Sequence, residues 1–303
     1  MLMRGVLVTG ASGFIGAHVV DLCAARGWDA WAWTRDAGRA SARLGARARV
    51  VTRLDDIPAE AAIDAVVNLA GAPVFGPPWT RARRQLLIDS RVQTTEAVTG
   101  WCRRRASVPR VMASASAIGF YGTAGDAWLD ETSPPRPQAF QSRLCVAREA
   151  ATDAARELGM RVVNLRLGLV LGADGGILPQ LARPAKFGMA AVIGDGRQWM
   201  SWIHLEDVLR VLELALADIT LEGPINVVAP QPARQRDFQR ALTRVLRRPL
   251  WLRVPGVVLH LALGEMAELL VRSQRVAPRR LNERGFGFRH PELEPALRAL
   301  LKP

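Results

Sequence analysis

Lysine is almost missing from this 303-residue chain: of 41 basic residues only Lys186 and Lys302 are lysine, and the rest are arginine. Tyrosine occurs once, at Tyr121. The cysteines, Cys23, Cys102 and Cys145, are odd in number, widely spaced and without a CxxC pair. That excludes a disulfide scaffold and a zinc ribbon, and points to a reducing, cytoplasmic setting with no bound metal. No stretch of ~18 apolar residues occurs, which excludes a membrane-spanning helix and leaves no membrane partner to expect. The apolar opening is broken by Gly10, Gly13 and Gly16 and ends in no A-x-A site, so it does not read as a secretory signal. Acidic residues are in the minority, 28 against 41 basic, for a net charge of +13. The excess is spread from Arg4 to Arg298, and its densest runs, Arg103–Arg105 and Arg279–Arg280, read as solvated faces, so no nucleic-acid partner is expected.

Apolar residues make up 49% of the chain and charged residues 23%, the balance of a globular protein with room for one large α/β domain or two modest ones. Strands are expected over 5–9, 30–34, 48–52, 64–69, 109–114 and 161–167, with crossover helices over 14–26, 80–104 and 143–158. This alternation predicts an α/β fold, a Rossmann-type doubly wound parallel sheet in residues 1–172. Beyond Gly172 the rhythm shifts to Gly- and Pro-rich loops, short strands near 199–204, 224–228 and 250–254, and helices over 206–217 and 235–247. Residues 173–303 therefore read as a smaller substrate-binding cap, with sheet elements returning at about 199–230 and a C-terminal unit at about 249–300.

Strand 5–9 opens directly into Thr9-Gly10-Ala11-Ser12-Gly13-Phe14-Ile15-Gly16 and then a helix. Gly10 permits the tight turn, Gly13 lets backbone N–H groups approach a pyrophosphate at the helix N-terminus, and Gly16 allows close helix–strand packing. A dinucleotide is the expected ligand. The second strand ends at Thr34 and Arg35, where an NAD site would place a carboxylate for the ribose 2′-hydroxyl. A guanidinium binds a 2′-phosphate that a carboxylate would repel, so the expected cofactor is NADP(H). The alternative is Asp36 swinging in to hold an NAD ribose.

Further motifs join the glycine loop: Asn68-Leu69-Ala70-Gly71, SxS at 114–116 followed by Tyr121-Gly122, Leu165-Arg166-Leu167-Gly168, and Trp202-Ile203-His204-Leu205-Glu206-Asp207-Val208. Together they resemble the extended, atypical short-chain dehydrogenases/reductases. Gly194-Asp195-Gly196-Arg197-Gln198, Gly223-Pro224-Ile225-Asn226 and Gly285-Phe286-Gly287-Phe288-Arg289 narrow the likeness to the "epimerase family protein" branch. That branch is often labelled a nucleoside-diphosphate-sugar epimerase and carries a short C-terminal domain of unassigned function. The resemblance implies that Gly10, Ser12, Gly13, Phe14, Ile15 and Gly16 hold the pyrophosphate and Thr34-Arg35 the ribose phosphate. It also implies that Leu69, Ala70, Gly71 and Arg91 line the cofactor, with Gly168-Leu169 beside the nicotinamide.

The catalytic pair is where the chain departs from that superfamily, which normally works with a serine and a YxxxK pair on one helix face. Four residues after Tyr121 stands Gly125, and neither lysine is near. On the helix that should bear the pair, aligned on Glu149, Gln141 falls at the tyrosine place and Cys145 at the lysine place. Gln141 cannot titrate. Cys145 is either a thiolate activated by a cation such as Arg143 or a small buried hydrophobe. Ser116 (or Ser114) at the end of the fifth strand and Tyr121 beyond it remain for proton work, Tyr121 alternatively packing its loop. His204 has no second His or Cys at ligand spacing, which favours a structural hydrogen bond over a metal.

Two loops are placed to receive a substrate, Phe75–Trp79 and Gly175–Ile177 leading to Gly194–Arg197. Arg166 and Arg197 offer charge to an anionic or nucleotide-linked group, and Trp79, Trp199 and Trp202 offer rings for stacking unless they are core. The sequence thus points to an NADP-dependent short-chain oxidoreductase or epimerase acting on a small molecule. The alternative is a non-catalytic NADP(H) redox sensor, and a homodimer is compatible with either.

Overall fold

The computed structural model describes residues 3–301; Lys302 lies outside them. The chain opens with β1 (Gly5–Thr9), α1 (Phe14–Ala25), β2 (Asp29–Trp33), α2 (Ala37–Leu44), β3 (Arg49–Val51), β4 (Ala65–Asn68), α3 (Arg81–Arg103) and β5 (Val111–Ala117). There follow β6 (Trp128–Leu129), α4 (Phe140–Ala151), α5 (Asp153–Glu157), β7 (Arg161–Leu167), β8 (Leu169–Leu171), α6 (Leu178–Lys186), β9 (Ala191–Ile193), β10 (Trp199–Met200) and β11 (Trp202–His204). The remainder holds α7 (Leu205–Ala217), β12 (Gly223–Val227), β13 (Ala233–Arg234), α8 (Gln235–Val245) and β14 (Leu252–Val254). After these come α9 (Gly256–Leu263), α10 (Glu268–Val271), β15 (Arg275–Val276), α11 (Arg279–Glu283) and α12 (Leu293–Leu300).

Seven strands form the main sheet in the order β12-β7-β5-β4-β1-β2-β3, every pairing parallel. Such a sheet is covered on both faces, so its strands read as nearly continuous apolar runs. Alternate residues go to opposite sides. Val6 and Val8 of β1 join the core formed with Val19, Val208 and Leu212, whereas Leu7 between them packs with Val98 and Trp101 of α3. Trp202, Phe238 and Leu297 centre a further core that binds β11, α8 and α12 together.

Several local readings differ from the sequence expectation. Residues 37–44 are helical, because the Asp36 side chain caps the segment by accepting from the Arg39 N–H at 2.9 Å. The helix expected over 143–158 starts earlier, at Phe140, and divides at Thr152, whose hydroxyl donates back to the Glu149 carbonyl at 2.6 Å. Residues 178–186, read as loop, form a helix that carries Pro184 inside it. Of the strands returning at 199–230, only β12 joins the main sheet; β10 pairs with β13 and β11 with β8.

Asp207, fully buried in the first turn of α7, ties the C-terminal region to this frame. Its carboxylate accepts from the backbone N–H groups of Arg289 at 2.8 Å and His290 at 2.9 Å, and from the Arg210 guanidinium at 3.3 Å. The helix N-terminus favours that negative charge. Asp207→Ala takes the acceptor from two part-buried backbone N–H groups and is expected to cost about 1–3 kcal/mol in urea unfolding. Asp237→Ala, which breaks the exposed pair with Arg240, is expected to cost under about 1 kcal/mol.

Candidate functional site

The turn after β1 is set by Gly10, with φ +67, and closed by the Gly13 N–H donating to the Gly10 carbonyl at 2.9 Å. A Cβ on Gly16 would lie 2.2 Å from that carbonyl oxygen, and one on Gly10 would lie 2.9 Å from the Ala70 nitrogen. The loop thus packs backbone against backbone, which leaves the α1 N-terminus open to a ligand. A groove of about 350 Å³ lies there, lined by Gly10, Gly13, Phe14, Ile15, Gly16, Leu69, Gly71 and Arg91, together with Ser116, Cys145 and Arg148. Ser12, Ala70, Thr34 and Arg35 lie outside its lining. Thr34 sits at the end of β2, where its N–H donates to the Val51 carbonyl at 3.0 Å. Arg35 beside it is exposed, and Asp36 is engaged as the cap of α2.

Two guanidinium groups enter the groove, and Arg148 among them was not singled out from the sequence. Arg91 donates to the carbonyls of Leu87 at 2.8 Å and Ala72 at 3.0 Å, and Arg148 to the carbonyl of Asn68 at 2.8 Å. Neither has a carboxylate partner among the described residues. Burial followed by the Arg91 charge holds Arg148 below the usual guanidinium range, and burial lowers Arg91 as well. The Arg148 Nε is buried without a partner. Two uncompensated cations beside a glycine turn whose space a Cβ would fill are the donor set that a dinucleotide's phosphates require, so the residues present fit such a cofactor. A signal for Arg148 existed in its position on the face of α4 shared with Cys145 and Gln141.

Polar residues occupy the C-terminal ends of the strands in register. Ser114 stands beside Asn68 and Asn164, and Ser116 beside Arg166, which in turn neighbours Asn226. Ser114 is fully buried, with its oxygen taking a hydrogen bond from the Asn68 amide at 3.3 Å, so Ser116 is the serine that reaches the groove. The Ser116 hydroxyl donates to Glu149 Oε1 at 2.7 Å. Arg166 grips the same carboxylate twice, Nε to Oε1 at 2.9 Å and Nη2 to Oε2 at 2.8 Å, and gives a third bond to the Tyr121 oxygen at 2.9 Å. Burial opposes the Arg166 charge, but Glu149 and Tyr121 outweigh it and hold its pKa above the ordinary value.

Tyr121 is not brought to the site. Its ring is 0% exposed, its hydroxyl donates to Asn226 Oδ1 at 2.7 Å, and burial pushes its pKa up to about 12. It belongs to the frame, which corrects its candidacy as an acid. Arg166 is likewise committed to Glu149 and not free for an anionic substrate.

A second cavity, of about 220 Å³, adjoins the first and receives Gly168 and Leu169. Cys145 lines both. Burial, with Glu149 nearby, pushes its thiol up to about 11, which favours the neutral thiol over an activated thiolate near neutrality. Gln141 lines the second cavity and leaves its Nε2 buried without a partner. Of the tryptophans offered for stacking, Trp199 lines the second cavity, and Trp79 and Trp202 line neither of the two. Trp202 is fully buried core, and Trp79 packs against Phe140 with ring centroids 5.1 Å apart. Phe75 and Ile177 reach the second cavity from their loops, whereas Arg197 is exposed and outside it.

His204 also departs from the expectation. His290, far along the chain, stacks on it with ring centroids 3.7 Å apart and bonds Glu206 Oε2 at 2.9 Å, so the fold supplies the second histidine that spacing did not. The potential ligand atoms of His204, Glu206 and His290 lie within 4.8 Å of one another. His204 Nδ1 accepts from the Glu206 N–H at 3.1 Å as the cap of α7, which leaves the proton on a buried, unpartnered Nε2. Burial first, and the His290 charge second, lower the His204 pKa to about 4. Between the unfolded value near 6.5 and that value, the unfolded chain takes up a proton that the folded chain refuses. Stability is therefore expected to drop by about 2 kcal/mol from this group as the pH falls from 7 to 5. Urea unfolding at the two pH values checks it, the drop being smaller by that amount in His204→Asn.

With this geometry in place, comparison with known proteins shows where the chain falls. Residues 6–228 match the model of the NAD dependent epimerase/dehydratase family, and residues 254–300 match a domain of unknown function, DUF1731. The epimerase family protein YfhF of Bacillus subtilis (strain 168) is 33% identical over 300 residues, which cover 98% of this chain and 97% of the relative. Human epimerase family protein SDR39U1 (isoform 2), solved with NADPH, superposes with a TM-score of 0.87 at 29% identity, over 98% of this chain and 99% of that one. UDP-glucuronic acid 4-epimerase from Bacillus cereus, solved with NAD, shares the fold, with a TM-score of 0.77 at 18% identity over 98% and 97% of the two chains. The chain belongs to the NAD dependent epimerase/dehydratase family.

Proposed function

We propose that this protein is an NADP(H)-dependent oxidoreductase of the short-chain type that works without a tyrosine–lysine pair. The observation that carries the reading is a shared wall: Ala117, Leu144, Cys145 and Leu167 line both the glycine-loop groove and the cavity beside it, so ligands of the two abut. The NADPH of the human relative, the uncompensated Arg91 and Arg148, and the exposed Arg35 support the phosphorylated coenzyme. Gly10, Ser12, Gly13, Phe14, Ile15 and Gly16 would hold its pyrophosphate, Thr34 and Arg35 its 2′-phosphate, and Leu69, Ala70, Gly71 and Arg91 its inner flank. Gly168 and Leu169 would border the nicotinamide. Bound NADPH would supply a hydride to a carbonyl carbon and leave as NADP⁺. The carbonyl oxygen then needs a proton, and Ser116 and Cys145, which both line the glycine-loop groove, can deliver it. A thiol kept protonated by burial can serve as a donor, as a phenol does elsewhere, and water restores its proton.

The burial of Cys145 and Tyr121, which raises the pKa of both, favours a second reading, a redox sensor that binds without turnover.

Two measurements decide. Calorimetry should show NADPH binding more tightly than NADH, with Arg35→Asp weakening NADPH by about 2 kcal/mol, roughly 30-fold; preference for NADH would overturn the cofactor assignment. Consumption of NADPH across a panel of carbonyl compounds should fall about a hundredfold or more in Ser116→Ala and in Cys145→Ala, while NADPH still binds. Full activity in both removes the proposed donors. No turnover by the unaltered protein, with NADPH binding intact, selects the sensor.

A further inference from the structure

We infer that the second cavity takes a small, uncharged, largely apolar carbonyl compound that also carries a hydrogen-bond donor, and that the C-terminal segment selects it. The inference rests on the oxidoreductase reading and narrows its substrate. At about 220 Å³ the cavity falls below the ~300–1,000 Å³ range of clefts for drug-sized ligands. Leu144, Leu181, Ile193, Trp199 and Met200 make its walls predominantly apolar. Its lining holds two charged residues among those described, Glu268 and Arg272, and they are joined to each other in an ion pair. No cation is left over for a diphosphate, in contrast to the neighbouring groove with Arg91 and Arg148. The two cavities thus divide the labour: one meets phosphate charge, the other does not.

The polar groups of this cavity set the ligand's chemistry by what they leave unpaired. Gln235 is satisfied, its Oε1 accepting from the Ile193 N–H at 3.2 Å and its Nε2 donating to the Ala191 carbonyl at 3.1 Å. Gln274 donates to the carbonyls of Ile118 at 3.0 Å and Gly122 at 2.9 Å, and Ser201 donates to the Gln274 carbonyl at 2.8 Å. Gln141 Nε2 and Gln239 Oε1, on side chains 8% and 4% exposed, are buried without a partner among the described residues. An unpaired buried donor and an unpaired buried acceptor are each costly, and a ligand that meets both recovers the loss. Gln141 asks for a carbonyl oxygen, and it sits one turn before Cys145 on α4, on the side of the shared wall. Gln239 asks for a hydroxyl or amide N–H. A carboxamide pair carries no charge, so it rewards a neutral partner and gives an anion nothing to balance.

Glu268, Leu269, Arg272 and Gln274 come from the region matched to the domain of unknown function. That gives the segment a role: it closes the cavity's far wall, with its own charges cancelled and Leu269 turned to the ligand.

The test is calorimetry on the full chain with NADP⁺ already bound, titrated with a series of lactams from pyrrolidinone to caprolactam, each a neutral ring with one carbonyl and one N–H. Cycloheptanone, cyclohexanecarboxylate and UDP-glucose are the comparison probes. Saturable lactam binding is expected, stronger than that of cycloheptanone, with no binding of the carboxylate. Gln141→Leu and Gln239→Leu should each weaken it tenfold or more while the affinity for NADP⁺ is unchanged, which also reports that the variants fold. UDP-glucose binding where the lactams fail, or lactam affinity untouched by both substitutions, overturns the inference. Failure of NADP⁺ itself to bind is a separate outcome that defeats the oxidoreductase reading instead.

Discussion

Beneath the two cavities, the Arg166–Glu149 pair fixes the floor on which both are built. Its side chains are 4% and 13% exposed, so neither charge is solvated and each depends on the other. Arg166 comes from the sheet and Glu149 from α4; their two parallel hydrogen bonds fix the rotation of that helix over the strand ends. The remaining valences of the pair reach Ser116 on one side and Tyr121 on the other. The placement of Ser116, Cys145 and Gln141 relative to the sheet all follows from it. Replacing one member would leave a bare buried charge.

The one tyrosine serves the frame, bonded to Asn226 and Arg166, and α4 turns an amide, Gln141, and a thiol, Cys145, to the second cavity. Arg148, one turn beyond Cys145, brings a guanidinium into the glycine-loop groove. A chain nearly devoid of lysine has thus placed arginine where a buried positive charge is wanted, and arginine holds that charge under burial better than lysine would.

Much of the fold was legible because its determinants are local. The glycine turn, the apolar strand runs and the crossover helices are written in neighbouring residues. What escaped was non-local or weakly patterned. Helix α2 buries only Ala40 and Leu44 and depends on the Asp36 cap. Helix α6 contains Pro184, normally a breaker. The stacking of His290 on His204 depends on a tail returning from far along the chain, held by Asp207. At the site, the glycines were readable from spacing, but the fates of Tyr121, Arg166 and Trp202 were set by which way each points, and periodicity does not encode that for a loop or a strand end.

Phe14 links the two ends of the active surface. It is the first residue of α1, and its ring fills the space that side chains at Gly172, Gly175 and Gly176 would occupy; a Cβ at these positions would come within 2.4, 2.3 and 3.0 Å of it. That loop leads straight into Ile177 and α6, whose Leu181 walls the apolar cavity. The aromatic ring therefore bridges the glycine turn and the loop that leads to the neighbouring cavity, and a side chain larger than hydrogen at any of the three glycines would push the two apart.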